Sequence, residues 1–155
     1  MSTMLSGQVD FVIGVDTHRD NNVAAIVEAV TGGVVDHLHC STDAMGYKRA
    51  LAFATLHAPG RRVWAIEGTG SFGSGLTTFL LEHREWVVEI DRPARPARRD
   101  GAKSDELDAV RAAREALSRE HLAAPRARGD REAMRVPLAA GGTAPLPAEP
   151  RRSAS

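Results

Sequence analysis

Apolar positions in the first ninety residues come in short runs separated by glycine, proline and acidic residues. Phe11–Thr17 is such a run, biased towards β-branched residues, and it predicts a strand. Residues 23–30 predict a second strand and residues 34–38 a third. Thr31-Gly32-Gly33 lies between those two and is a turn signal, because glycine reaches positive φ without steric cost. The chain is therefore expected to open as a three-stranded antiparallel meander. Ala44–His57 carries Leu51, Phe53, Ala54 and Leu56 without strict alternation, which predicts a helix. Asp43 is its expected N-cap and Pro59-Gly60 its stop.

Arg62–Glu67 predicts a fourth strand, and Gly68-Thr69-Gly70-Ser71 a turn into a second helix over about residues 72–85. That helix carries Leu76, Phe79 and Leu80, with Arg84 as a basic residue in its last turn. Trp86–Ile90 predicts a fifth strand, and residues 91–102 a loop. Ser104 is the expected cap of a third helix reaching about Leu122, with acidic residues in its first turn. The order βββ-α-β-α-β-α implies strand–helix–strand crossovers with parallel neighbours and right-handed connections. The fold class that follows is α/β: a mixed five-stranded sheet flanked by helices. Residues 9–124 are the expected folded domain and 125–136 the start of a helical linker. Residues 137–155, rich in Ala, Gly and Pro, are an expected disordered tail.

Composition narrows the class. At 155 residues and 43% apolar content, a single soluble globular domain is expected. The lone cysteine, Cys40, excludes an internal disulfide and a cysteine-rich zinc site, which fits a reducing cytoplasm. No apolar run approaches the roughly 18–20 residues of a membrane span, so no membrane partner is expected, and residues 1–7 lack the basic start and apolar core of a secretory signal. The net charge of zero hides an asymmetry. Residues 1–91 hold 6 Lys/Arg against 11 Asp/Glu, and residues 92–155 hold 14 against 9. A basic second part after an acidic first part suits a polyanionic partner beside a metal-binding centre; an ordinary Arg-rich surface is the plainer alternative.

Four acidic residues carry the candidate chemistry. Asp16 and Glu67 each close an apolar strand, and Asp105 and Asp108 stand three apart on one face of the third helix. A carboxylate ending a central strand is costly unless it is paired or binds a cation. Two like charges three apart on a helix repel by a few tenths of a kcal/mol on an open surface, and a cation reverses that sign. Each residue has a plain reading too: Asp16 as a turn cap, Glu67 as a rim glutamate, Asp105 and Asp108 as helix decoration. Together they form the oxygen set with which proteins hold two Mg²⁺ ions about 3.5–4 Å apart against a phosphodiester. The loop arginines Arg92, Arg95, Arg98 and Arg99, with Lys103, are candidate nucleic-acid phosphate contacts; a solvated basic loop is the alternative.

Other signals are weaker. Gly68-Thr69-Gly70-Ser71-Phe72-Gly73 has the look of a phosphate-cradling loop but lacks its Lys-Ser/Thr ending, so a tight strand-to-helix turn is the better reading. His37, His39 and Cys40 cluster without a second ligand pair, which disfavours zinc. His18 is near Asp16 and reads as a rim histidine, with contact to substrate as the alternative.

Three stretches resemble one family. Ile13-Gly14-Val15-Asp16-Thr17-His18, Ala65-Ile66-Glu67-Gly68-Thr69-Gly70 and Lys103-Ser104-Asp105-Glu106-Leu107-Asp108-Ala109 resemble the N-terminal, RuvC-like domain of insertion-sequence 110 family DEDD transposases. The resemblance covers about residues 9–135. It implies a ribonuclease-H-like fold, with Asp16, Glu67, Asp105 and Asp108 as catalytic metal ligands in that order. It also implies Mg²⁺-dependent DNA strand cleavage and transfer in transposition, with two ions and Mn²⁺ as a substitute. The partners implied are DNA, a structured guide RNA and, for the intact family, further copies of the chain. Family members continue into a helical segment and a second domain that supplies a serine nucleophile. Residues 128–136 resemble the start of that continuation, and the resemblance stops at Pro137, so a truncated or frameshifted transposase is expected. The alternative functions are a non-catalytic nucleic-acid-binding or oligomerising remnant and, more remotely, half of an actin-like ATPase.

Overall fold

The computed structural model describes residues 7–91, 101–119 and 125. The elements are β1 (Phe11–Thr17), β2 (Asn21–Glu28), β3 (Val34–Ser41), α1 (Ala44–His57), β4 (Arg62–Glu67), α2 (Ser74–Glu82), β5 (Trp86–Ile90) and α3 (Gly101–Ser118). They form one five-stranded sheet in the order β3-β2-β1-β4-β5. The β1–β2 and β2–β3 pairs are antiparallel, and the β1–β4 and β4–β5 pairs are parallel. This is the mixed α/β sheet that the ribonuclease-H-like resemblance implies.

The two faces of the sheet bury separate cores, because successive strand residues point to opposite sides. On one face Val12, Val23, Ala25, Val27, Val63, Ala65, Val88 and Ile90 pack against Ala109, Ala112, Ala113 and Ala116 of α3. On the other, Ile13, Val15, Ala24, Ile26, Trp64, Ile66 and Val87 pack against Ala50, Phe53 and Ala54 of α1 and Leu76 and Leu80 of α2. Covering both faces explains why β1 and β4 are almost continuously apolar rather than alternating.

The α3 face is built from small residues. Ala109, Ala112, Ala113 and Ala116 recur at the three- and four-residue spacing of one helical stripe. Opposite them is Gly14 of central β1, where an added Cβ would lie 2.0 Å from the Ala109 carbonyl oxygen and 2.6 Å from the Ala113 nitrogen. Helix backbone therefore rests almost directly on strand backbone, and the crossing point is set by an absent side chain.

Several boundaries differ from the sequence expectation, each for a local reason. The second strand runs over Asn21–Glu28 rather than 23–30. Its hairpin closes where Glu28 N–H donates to the Gly33 carbonyl and Gly32 N–H donates to the Glu28 carbonyl, which leaves Val30 in the exposed turn. The third strand extends to Ser41 because Ser41 pairs with Asn21. The second helix is shorter than 72–85. Gly68, at φ 71, starts a turn that uses residues up to Gly73, and at the far end Arg84 takes φ 63. There Glu85 N–H reaches the Leu80 carbonyl and Arg84 N–H the Leu81 carbonyl, the paired bonds of a Schellman stop. Arg84 thus lies beyond the helix. Glu85, also outside it, binds Arg62 through two bonds of 2.9 Å and accepts from the Trp64 indole at 2.8 Å. The third helix begins at Gly101, a turn before Ser104, so Ser104 is inside the helix and no acidic residue falls in its first turn. The packed alanine stripe anchors the helix, and propagation back through Ala102 and Lys103 costs little once it is nucleated. Leu122, the domain end at 124, the linker and the 137–155 tail lie outside the described residues, apart from Pro125.

The Gly14 contact gives a direct test. Gly14→Ala is expected to lower unfolding free energy by about 1–3 kcal/mol, because the helix backbone must move to admit the methyl group. Gly7→Ala, where an added Cβ meets nothing within 4 Å, is the control and should change little. Urea denaturation of both variants checks this.

Candidate metal centre

The centre follows from the Gly14 crossing. From Gly14, two residues along β1 lead to Asp16, a step of about 7 Å. From Ala109, four residues back along α3 lead to Asp105, a rise of about 6 Å. The two elements run in opposite senses past one another, so both paths end at the same place, by the last residues of β1. Strand alternation puts Asp16 on the α3 face with Gly14, and Glu67 on that face with Ala65. The β1–β4 register pairs Val15 with Ile66, which makes Asp16 and Glu67 neighbours one step further on. The Thr17 hydroxyl donates to the Glu67 carbonyl at 2.9 Å and ties the two strand ends together.

Burial differs among the four acids. Asp16 and Glu67 are buried, at 2% and 3% exposure, whereas Asp105 and Asp108 are partly exposed. Asp105 approaches Asp16 across His18. His18 Nε2 lies 2.9 Å from Asp16 Oδ2 and 3.4 Å from Asp105 Oδ1. One donor atom from each of these three residues falls within 4.8 Å of the other two, close enough to share a cation. Asp108 pairs with Arg111 one turn further along α3. It and Glu67 border the three-residue set without belonging to it. Asp108 is nonetheless near enough to act electrostatically on Asp16.

Burial is the main reason the Asp16 carboxyl sits above its usual 3.8. His18 opposes that shift through its charge and its hydrogen bond, while Asp108 and Asp105 reinforce it. Three carboxylates crowd a desolvated edge, an arrangement that favours a proton or a cation there. The residues fit a hard divalent ion: two carboxylate oxygens and an imidazole nitrogen converge, with two further carboxylates adjacent.

Sequence reasoning brought out Asp16 and Asp105, which the fold unites. It left His18 as a rim histidine, although the Asp-x-His spacing at a strand end was a usable signal for two side chains on one side. Arg92, Arg95, Arg98 and Arg99 lie outside the described residues; their segment joins the end of β5 to the start of α3, whose first turn includes Lys103. His39 Nε2 meets Glu106 Oε2 at 2.8 Å, while Cys40 is buried on the opposite face of the sheet from α3. A shallow groove between α1 and α2, lined by Lys48, Leu51, Thr55, Phe79 and His83, also lies on that opposite face and contains no carboxylate. Among the described residues no helix is long and apolar enough to cross a membrane.

Comparison with known proteins adds one finding. Residues 13–136, more than half of the chain and all four acids with them, match the family model described as transposase, the DEDD type of insertion sequence 110. No curated protein matches the chain.

The raised Asp16 carboxyl has a signed consequence for stability. A proton on Asp16 favours the folded state, so its contribution is full below the ordinary carboxylate value and is lost as pH rises through the folded one. In chelator, Asp16→Asn should therefore be more stable than wild type near neutral pH, with the difference vanishing as the solution is acidified below the ordinary carboxylate range. Urea midpoints from about pH 3 to about pH 8 read this out. A wild type that gains on the variant as pH rises would mean that His18 outweighs burial.

Proposed function

Since the chain belongs to the insertion-sequence 110 family of DEDD transposases, we propose that residues 13–136 form its Mg²⁺-dependent centre for DNA strand cleavage and transfer. The observation that carries this reading is the convergence of Asp16, His18 and Asp105 within 4.8 Å at the sheet edge. Glu67 and Asp108 complete the acidic set as neighbours in register and on the helix. When bound, a pair of divalent ions supplies positive charge to the attacking and departing oxygens of a phosphodiester.

The chain's own residues have separable parts in this reading. Asp16 offers a buried oxygen that cannot turn to water, which fixes the depth of the site. Glu67 offers a second from the adjacent strand, on the same face. Asp105 brings its oxygen from α3 and so makes the site depend on helix docking. Asp108 exchanges its Arg111 partner for the site and adds the fourth carboxylate. Arg92, Arg95, Arg98, Arg99 and Lys103 contact the DNA backbone through phosphates, since the segment that carries them leads from β5 into α3. A structured guide RNA and self-association are proposed on family grounds alone. The reading covers metal binding and engagement of a phosphodiester; no serine of this chain is given the nucleophile's part.

Titration calorimetry of the full chain with Mg²⁺ and with Mn²⁺ tests the centre. Asp16→Asn and Asp105→Asn should each weaken binding by at least about tenfold. Mg²⁺ at about 100 times its Kd should add roughly 2.7 kcal/mol to the unfolding free energy of wild type, and Asp105→Asn should abolish that gain. Equal affinity in wild type and both variants would remove the centre. DNA retention that persists in both variants and falls steeply with salt would then favour a non-catalytic nucleic-acid-binding role.

A further inference from the structure

Resting on the metal-centre reading above, we infer that His18 is itself a metal ligand, donating Nε2 to the ion held by Asp16 and Asp105. The inference concerns the choice of metal, because it places a nitrogen in what the family pattern makes an all-oxygen set.

Spacing carries the first part of the argument. Ligand atoms at about 2.1 Å from an octahedral ion and at right angles to one another stand about 3.0 Å apart. His18 Nε2 lies 2.9 Å from Asp16 Oδ2 and 3.4 Å from Asp105 Oδ1, close to that separation on both sides. Hydrogen bonding explains the arrangement less well. An imidazole nitrogen carries at most one proton, and a single N–H directed at Asp16 leaves Asp105 facing the ring without a bond of its own from it. A cation among the three atoms satisfies all of them at once.

The backbone supports the same conclusion. His18 N–H donates to the Asn21 carbonyl at 3.1 Å, and its carbonyl accepts from the Thr42 hydroxyl, also at 3.1 Å. The turn after β1 is thus fastened both across itself and to the residue preceding the Asp43 cap of α1. Its ring is about 40% exposed, whereas the Asp16 side chain is about 3% exposed. The histidine therefore closes the solvent side of the site, and the aspartate forms its floor.

Chemistry supplies the consequence. Carboxylate oxygens suit Mg²⁺ and Mn²⁺ alike, whereas imidazole favours transition ions over Mg²⁺. His18 should shift the centre towards Mn²⁺, and more strongly towards Co²⁺. The test measures Mg²⁺, Mn²⁺ and Co²⁺ affinities of the full chain by calorimetry for wild type, His18→Ala and His18→Gln. Pulsed electron paramagnetic resonance of the Mn²⁺-loaded protein is the second readout. Both variants should lose about tenfold or more in Mn²⁺ and Co²⁺ affinity while Mg²⁺ affinity changes far less. Wild type with Mn²⁺ should show coupling to a directly bound ¹⁴N nucleus, and both variants should lose it. Metal binding by wild type without ¹⁴N coupling, or with all three affinities unchanged in His18→Ala, overturns the His18 assignment and leaves the carboxylate centre standing. Absence of divalent binding by wild type overturns the centre itself. The ¹⁴N signal of wild type needs no variant, so a folding defect in either substitution does not remove the test.

Discussion

Everything at the candidate centre depends on how closely α3 lies on β1. Where Gly14 meets Ala109 and Ala113 there is no room for a side chain. Close-packed interiors transmit small displacements instead of absorbing them. A helix held away from the sheet by one methyl group would carry Asp105 away from Asp16, and the donor set spans only 4.8 Å. The alanine stripe therefore has two roles: it completes one of the two cores, and it sets the height at which the carboxylates of α3 stand over the strand ends.

Opposite ends of β4 show how the molecule divides stability from chemistry. At the start of the strand, Arg62 and the Trp64 indole satisfy Glu85 in a half-buried network of paired charge and hydrogen bonds. Charge-assisted, bidentate contacts of this kind are among the stronger polar interactions available. At the other end, Glu67 shares its edge with Asp16, and the acids of α3 approach over the same face. There acidic groups predominate among the described residues, with His18 beside Asp16 and Asp105 and Arg111 beside Asp108. One end is built to be satisfied by the protein itself. The other gathers Asp16, His18 and Asp105 closely enough to share a cation.

Placement of the acids matches this division. Strand C-terminal ends in a parallel sheet layer all open on one edge, so β1, β4 and β5 deliver their following residues to the same side. After β4 the chain turns at once, with Gly68 at positive φ leading away from Glu67. The segment from β5 to α3 starts at the same edge, which is why a basic run at that point of the sequence has a place in a nucleic-acid reading.

Much of this could be read from the sequence. The strands Phe11–Thr17, Arg62–Glu67 and Trp86–Ile90 and the helix Ala44–His57 with its Asp43 cap follow from β-branched runs, turn residues and capping chemistry, all of which act locally. Element order then limited the connections to a mixed sheet. Boundaries that depend on partners were not legible: Asn21 is a strand residue only because Ser41 lies opposite, and Glu85 leaves its helix because Arg62 and Trp64 bind it. The same holds for the centre. Sequence named Asp16, Glu67, Asp105 and Asp108 as acids at element ends. Only the tertiary structure decided that Asp16 and Asp105 converge and that His18 stands between them; Asp108 and Arg111 pair locally, three apart on α3. The reason is geometric. Residue type and spacing fix which way a side chain leaves its own strand or helix, but the distance between two elements is set by what packs between them, and here that is the missing side chain of Gly14.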